Sequence, residues 1–238
     1  MSDTPSSQAV PAASNAAGTS TRRSVLRAAA WTTPVIALAT AAPAQAASRC
    51  VNKTNFNALT TGTKPTQIAF PGTGVTATLS YVGYGGFTGS STNGAVQNGP
   101  QGGNPNTQKW IKFENDTASY GSGLDVKIVF SEPVNKLSFT LFDLDWADGN
   151  HRDAVIATTP PTSFTIASAL QGNGTLNNPW RKINVGEIPS TSLNGNVQLN
   201  YTGPITEVTF RYFQDLKVQG SNHNQLIGLS DLAFDKCL

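Results

Sequence analysis

A short segment in the second half of the chain concentrates side chains that bind hard cations. Four carboxylates fall within eleven residues, at Asp143, Asp145, Asp148 and Asp153. Ca²⁺ takes six to eight oxygen ligands and tolerates flexible loops. The sequence therefore predicts a Ca²⁺ site formed by these four residues.

The segment partly resembles the D-x-D-x-D-G calcium loops but departs from them at two positions. Counted from Asp143, the fifth position is Ala147, and the third carboxylate follows one residue late at Asp148. The twelfth position is Ala154, where the EF-hand loop has a bidentate Glu. An EF-hand is therefore excluded, and the predicted site is one at the edge of a β-sandwich.

Turn formation is the alternative role for this segment. Asp side chains in turns accept hydrogen bonds from nearby backbone amides, and Arg152 can neutralise a neighbouring carboxylate. If the alternation continues from Leu141, Asp143 and Asp145 enter the core face, where bare carboxylates are costly. We expect a bulge, a cation or an arginine at this point.

Aromatic residues in polar surroundings suggest a second kind of site. Flat apolar rings stack against sugar rings, while Asn and Asp side chains hold sugar hydroxyls. The predicted ligand-binding residues are Trp146, Trp180 and Tyr84. Packing into the core is the alternative role for the same rings.

Motifs for catalysis are mostly missing from the sequence. It contains no G-x-S-x-G and no H-E-x-x-H. Glycoside hydrolysis needs only two carboxylates at a set distance, and Glu114, Asp145 and Asp153 are examples that remain open. No catalytic residue is predicted, and a polysaccharide hydrolase or lyase is kept as an alternative.

The elements that position these residues are predicted to be strands. From Gln67 onward apolar residues recur at period two, and β-branched and aromatic types dominate them. About ten short strands separated by turns favour an all-β fold, an antiparallel β-sandwich that is jelly-roll-like. The predicted inward-facing residues include Leu124, Val126, Ile128, Leu137, Phe139, Leu141, Val208, Phe210 and Tyr212.

The first 46 residues have the pattern of an export signal. A Ser-, Thr- and Ala-rich lead precedes the paired Arg22 and Arg23, followed by an uncharged run over residues 28–42 and the small-x-small sequence at 44–46. The run is shorter than the roughly 20 residues that span a bilayer. We expect no stable membrane anchor after cleavage and a single domain over residues 47–238.

Two cysteines, Cys50 and Cys237, lie at the two ends of that domain. In an oxidising compartment an even pair favours a disulfide. Two unpaired buried thiols are the alternative. A metal site at the cysteines is not expected, because the sequence has no CxxC and His151 and His223 are not spaced as ligands.

The charge of the chain argues against nucleic acid as a partner. The formal net charge is +2, but three of the basic and one of the acidic residues precede Ala46, which leaves thirteen of each sign. A neutral body offers no basic field for nucleic acid.

Three stretches resemble a group of bacterial, actinobacterial-like exported surface proteins with a twin-arginine-type signal peptide and a jelly-roll domain. They are residues 137–145, which end in D-x-D, residues 153–155, and residues 227–234, which contain G-x-S-x-L-x-F. Paired arginines followed by Ser-Val-Leu-Arg are similar to the twin-arginine signal. The resemblance implies fold and location and assigns no catalytic residue.

Together these features predict an exported, secreted or cell-surface β-sandwich. The expected function is non-catalytic binding of a glycan or cell-envelope component, with Ca²⁺ as a stabilising cation. A polysaccharide hydrolase or lyase, and a structural or adhesive surface protein without a small ligand, are the alternatives.

Overall fold

The structure is a computed structural model that describes residues 50–87, 89–105, 107–117, 119–217 and 225–237. These residues belong to a unit that runs from Ala47 to Leu238. The predicted export signal, residues 1–46, lies outside the described residues. No helix in the described part of the chain is long and apolar enough to cross a membrane.

Fifteen strands and one short 3-10 helix, Phe56–Ala58, make up the described secondary structure. The strands are β1 Val51–Lys53, β2 Gln67–Ala69, β3 Thr76–Tyr84, β4 Val96–Gln97, β5 Trp110–Asn115, β6 Gly123–Phe142, β7 Trp146–Ala147, β8 His151–Ala157, β9 Ser163–Ile166, β10 Leu170–Gln171, β11 Trp180–Lys182, β12 Val197–Tyr201, β13 Ile205–Gln214, β14 Gln225–Leu229 and β15 Ala233–Asp235. The prediction of an all-β protein is confirmed.

All pairings between these strands are antiparallel. Fourteen of the strands form two sheets that share β6, and the short β7 pairs with β8. Sheet 1 has the order β2-β3-β6-β13-β8-β11-β10 and uses the first half of β6. Sheet 2 uses the second half of β6, with β12 and β9 on one side and β14 and β15 on the other. Strands β5 and β4 extend sheet 2 beyond β14, and β1 extends it beyond β15.

Aromatic side chains from the two sheets meet in the core. The ring of Phe210 in sheet 1 lies 6.0 Å from that of Phe113 and 6.4 Å from that of Phe139, both in sheet 2. The alternating residues predicted to face inward are buried in β6 and β13. This packing confirms the predicted antiparallel β-sandwich.

Strand β6 differs from the prediction in one respect. The sequence predicts short strands, and the Glu132-Pro133 pair is typical of a turn, but the structure has one strand of 20 residues here. Pro133 lies at the point where β6 leaves β3 and pairs next with β12 and β15. A strand can keep its direction through a proline where no ladder partner needs the missing N–H.

The two cysteines form the predicted disulfide. Cys50 and Cys237 are bonded, with their Cα atoms 4.9 Å apart. The pairing follows from the fold, because β1 and β15 are antiparallel neighbours that begin and end the domain. The bond closes a loop over a sequence separation of 187 residues.

Candidate functional site

A tight hairpin positions the acidic segment. Strands β7 and β8 pair with Trp146 opposite Arg152 and Ala147 opposite His151. Gly149, in the connecting turn, has a φ of 63°, which glycine adopts without steric cost. The next pair outward places Asp145 and Asp153 together, and the Asp153 amide donates to the Asp145 carbonyl at 2.9 Å.

On the inward side of this hairpin lies a group that we call the carboxylate centre, made of Asp145, His151 and Asp153 of the hairpin together with Asp143 and Tyr212. His151 Nε2 lies 2.8 Å from Asp145 Oδ1. The Tyr212 hydroxyl donates to Asp153 Oδ1 at 2.7 Å, and the Asp145 amide donates to Asp153 Oδ2 at 3.1 Å. One ligand atom from each of Asp145, His151 and Asp153 lies within 4.8 Å of the others.

Asp143 reaches this centre through an unusual backbone conformation. It follows the last residue of β6 with a φ of 72°, in the left-handed region that Asp tolerates better than most residues. Its carboxylate is buried and accepts a hydrogen bond from Gln101 Nε2. This conformation is not the bulge expected from the sequence, and Asp143 stays buried.

Burial and mutual repulsion shape the electrostatics of the centre. Burial raises the pKa of Asp143 to about 7, and the nearby charge of Asp145 adds to the effect. The pKa of Asp153 is raised well above its ordinary value by the same two causes, burial being the larger. Burial also raises the pKa of Tyr212 well above its ordinary value, which keeps its hydroxyl a donor.

The predicted four-carboxylate site is corrected at one member. Asp148 is exposed in the turn, and it is not among the residues whose ligand atoms come together. Asp148 lies in the turn between β7 and β8, beyond the paired part of the hairpin. His151 lies in the group instead.

Arg152 does not neutralise the centre, because it occupies the outward side of β8. Its guanidinium lies 4.4 Å from the centroid of the Trp146 ring and 3.7 Å from Asp215. Burial lowers its pKa. The arginine expected to neutralise the buried carboxylates therefore lies on the opposite face of the sheet, where it pairs with Asp215.

That opposite face holds a pocket of about 250 Å³, which we call the aromatic–arginine pocket. It joins the end of β3, the turn before β6, the loop before β11, and strands β11 and β13. Tyr120 and Leu176 are its most exposed apolar side chains, at 57% and 71%. The lining residues are Tyr84, Tyr120, Gly121, Leu176, Asn177, Pro179, Arg181, Arg211, Phe213 and Asp215.

The two lining arginines differ in how they are neutralised. Arg211 makes two 2.7 Å hydrogen bonds to the Asp125 carboxylate and stacks 4.1 Å from the centroid of the Tyr84 ring. Arg181 donates to Asp215 at 2.6 Å, but Asp215 also pairs with Arg152. One carboxylate thus serves two guanidinium groups, which leaves positive charge on this wall.

The three predicted ligand-binding aromatics have different positions. Tyr84 lines the pocket, and burial raises the pKa of its hydroxyl. Trp146 is partly buried, with one ring face under Arg152. Trp180 is 0% exposed and packs edge-on against Phe164, so the prediction of a stacking surface there is wrong.

A larger concavity of about 350 Å³ lies on the outer face of sheet 2. Its walls are mostly hydroxyl and amide side chains such as Ser138, Gln198 and Asn200. The two aromatic residues that border it, Tyr201 and Phe234, are buried. Because it offers no exposed ring, it fits sugar stacking less well than the smaller aromatic–arginine pocket does.

The carboxylates considered for hydrolysis are buried. Glu114 accepts hydrogen bonds from Lys112 at 2.8 Å and from Thr92 at 3.2 Å. Asp153 is fully buried between Tyr212 and the Asp145 amide. Neither residue lines the aromatic–arginine pocket, so no pair for glycoside cleavage is assigned there.

Sequence reasoning missed Tyr120 and Arg181, and it set His151 aside as a metal ligand because of its spacing from His223. The Asp148-Gly149-Asn150 turn could have indicated the place of His151, because in a hairpin closed there this residue lies two residues from Asp153 and on the same face as Asp145. Tyr120 and Arg181 reach the pocket from segments far apart in sequence, and no local pattern marks them.

A comparison of the chain with protein-family models, curated proteins and solved structures gave no match.

Proposed function

We propose that this chain is an exported, non-catalytic binding module that holds a glycan or cell-envelope component in the aromatic–arginine pocket. The observation that carries the proposal is the meeting of Tyr84, Tyr120 and Arg181 in one cavity large enough for a sugar residue. Pockets that bind small ligands combine apolar walls with a few placed polar groups.

The chemistry of the walls favours an acidic sugar. Aromatic rings and the exposed Leu176 supply apolar contact with the face of a pyranose ring. Arg181 shares its only described carboxylate partner, Asp215, with Arg152, so an added anionic group improves the local charge balance.

Export is supported by two features of the chain. The leader over residues 22–46 has the basic, apolar and small-residue order of a signal peptide. The Cys50–Cys237 bond is of a kind that persists in oxidising compartments outside the cytoplasm.

A binding assay with two probes tests the proposal. Isothermal titration with an oligogalacturonate is expected to give measurable affinity, and a neutral cello-oligosaccharide is expected to bind more weakly. Leu176→Ala should weaken oligogalacturonate binding roughly tenfold, because it removes an exposed apolar contact at the pocket rim.

Leu193→Ala is the matched control, since Leu193 is 65% exposed and lines a different concavity on the outer face of sheet 2. Loss of binding in Leu193→Ala but not in Leu176→Ala would move the site to that face. Release of shortened sugars would favour a hydrolase or lyase, and failure to bind any glycan on an array would favour the structural role.

A further inference from the structure

The outer face of sheet 2 carries a concave surface that the proposed function does not use. Two concavities, of about 350 Å³ and about 320 Å³, lie on it, and Gln198 of β12 lines both. Small-ligand pockets in proteins have volumes of about 300–1,000 Å³. We call this surface the β12 groove, with a floor made of Ser138, Thr140, Ser163, Thr165, Gln198 and Asn200.

Strand register arranges the floor of the groove in two rows. Each row crosses β6, β12 and β9 in that order, because β12 pairs with both of the other strands. Neighbouring strands lie about 4.8 Å apart, and residues two positions apart along a strand are separated by about 7 Å. Each row therefore places one amide between two hydroxyls at these spacings. The rows are Ser138–Asn200–Ser163 and Thr140–Gln198–Thr165.

Alternation along β12 fixes the direction of the two amides. Val197, Leu199 and Tyr201 are at most 2% exposed and pack into the core. Successive side chains of a strand point to opposite faces, so Gln198 and Asn200 point out of the sandwich. The amides are thus held on a rigid strand, which lowers the entropy that binding costs.

The side chains of the floor have unused capacity for hydrogen bonding. In the described part of the chain, none of the six bonds through its side chain to another protein group. Amide and hydroxyl side chains both donate and accept hydrogen bonds. A ligand that matches this floor needs closely spaced groups that also do both, which is the chemistry of sugar hydroxyls.

The charge of the groove selects a neutral ligand. Its charged lining residues, Lys136 and Asp235, form an ion pair with each other at 2.8 Å. The two concavities also have an exposed aliphatic side chain each, Val51 at 56% and Leu193 at 65%. These side chains supply apolar contact for ring carbons, and no unpaired cation is offered to an acidic sugar by the lining residues.

We propose that the β12 groove binds a neutral, hydroxyl-rich polysaccharide chain lying along β12. Hydrogen bonds from the two amides hold the chain, and Val51 and Leu193 contact it at the two ends. The proposal goes beyond the binding of an acidic sugar in the aromatic–arginine pocket and does not depend on it. With one site on the outer face of each sheet, a single molecule would connect two different glycan chains.

The experiment titrates the isotope-labelled full-length chain with cellohexaose, an uncharged linear glucan. The side-chain NH₂ signals of Gln198 and Asn200 should shift, because these groups donate to the sugar. Cellohexaose should bind more weakly than oligogalacturonate binds in the other pocket, since the groove offers no exposed ring. The same shifts are expected with oligogalacturonate present in excess, so a failure of the acidic-sugar pocket would leave this result unchanged.

A pair of glutamine variants separates the groove from non-specific binding. Gln198→Ala removes the amide that lines both concavities and should weaken cellohexaose binding about fivefold. Gln67→Ala is the matched control, because Gln67 is also exposed but lies in β2 of sheet 1 and lines neither concavity. It should bind cellohexaose like the wild type.

Unchanged signals of Gln198 and Asn200 at millimolar cellohexaose would overturn the proposal, and so would equal losses of affinity in Gln198→Ala and Gln67→Ala. Shifts of the two signals by an uncharged peptide rich in Ser and Asn, and not by cellohexaose, would overturn the assigned class of ligand.

Discussion

The Tyr212 hydroxyl donates a 2.7 Å hydrogen bond to Oδ1 of Asp153, and both side chains are 0% exposed. The bond joins β13 to β8 inside the sandwich, beside the point where Gln214 pairs with Asp153 in the ladder. Removal of the Tyr212 hydroxyl would leave Oδ1 of the buried Asp153 without its donor. An unsatisfied buried polar group costs about 1–3 kcal/mol.

Tyr212→Phe should therefore lower the free energy of unfolding by about 1–3 kcal/mol. Denaturant unfolding followed by tryptophan fluorescence measures the change. Tyr201→Phe is the matched control, because the Tyr201 hydroxyl donates to a backbone carbonyl of Thr159 at 3.2 Å and touches no carboxylate in the described structure. Equal losses of unfolding free energy in the two variants would show that the bond to Asp153 stabilises the fold no more than the bond to the Thr159 carbonyl does.

Glu114 gives a prediction about acid stability. Burial acts to raise its pKa, but hydrogen bonds from Lys112, Ser90 and Thr92 outweigh it and hold the pKa below the ordinary 4.5. A lowered folded pKa means that the stabilisation is complete above pH 4.5 and is lost as the pH falls through the folded value.

The free energy of unfolding of Glu114→Gln should consequently fall less steeply than that of the wild type between pH 4.5 and pH 3. Glu207→Gln is the control, since the ion pair that Glu207 forms with Lys127 is exposed. If the unfolding free energies of the wild type and Glu114→Gln fall in parallel over this pH range, the lowered pKa of Glu114 is contradicted.

The disulfide should be a major contribution to stability. In the chain-entropy model, closing a loop of this length removes about 5 kcal/mol of unfolded-state entropy. Replacing both Cys50 and Cys237 by Ser should lower the melting temperature strongly, and a reducing agent should lower that of the wild type while leaving the double variant unchanged. If the reducing agent does not change the melting temperature of the wild type, the predicted stabilisation by the Cys50–Cys237 bond is contradicted.

Arg211 should matter through its geometry as well as its charge. Arg211→Lys keeps the positive charge but loses the paired hydrogen bonds to Asp125 and the flat contact with Tyr84. We expect a loss of about 1 kcal/mol in unfolding free energy and weaker binding of oligogalacturonate. Lys127→Gln, which breaks an exposed pair on the same two strands, should cost less than about 0.5 kcal/mol.

The core was predictable from sequence because its signal is local. Leu124, Val126 and Ile128 alternate with polar residues, and the structure buries all three. The alternation ends near Leu141, because Phe142, Asp143 and Leu144 are all buried, so it does not explain why Asp143 and Asp145 are buried. Pattern along one strand is enough to decide which face of a sheet a side chain takes.

The site was less predictable because it depends on how strands are joined. His151 enters the carboxylate centre only through the register of the β7–β8 hairpin, and Asp148 leaves it for the same reason. Trp180 is buried under Phe164 of β9, a strand that is not its hydrogen-bonded neighbour. Contacts of this kind follow from the packing of the two sheets and have no counterpart in local composition.

Mapping the bound sugar on the protein by NMR is the most direct test of the proposed binding pocket. Titration of isotope-labelled protein with oligogalacturonate should shift the signals of Tyr84, Tyr120 and Arg181, and leave those of Thr165 and Gln198 on the outer face of sheet 2 unchanged. Shifts confined to that outer face, or no shifts at millimolar sugar, would contradict the account.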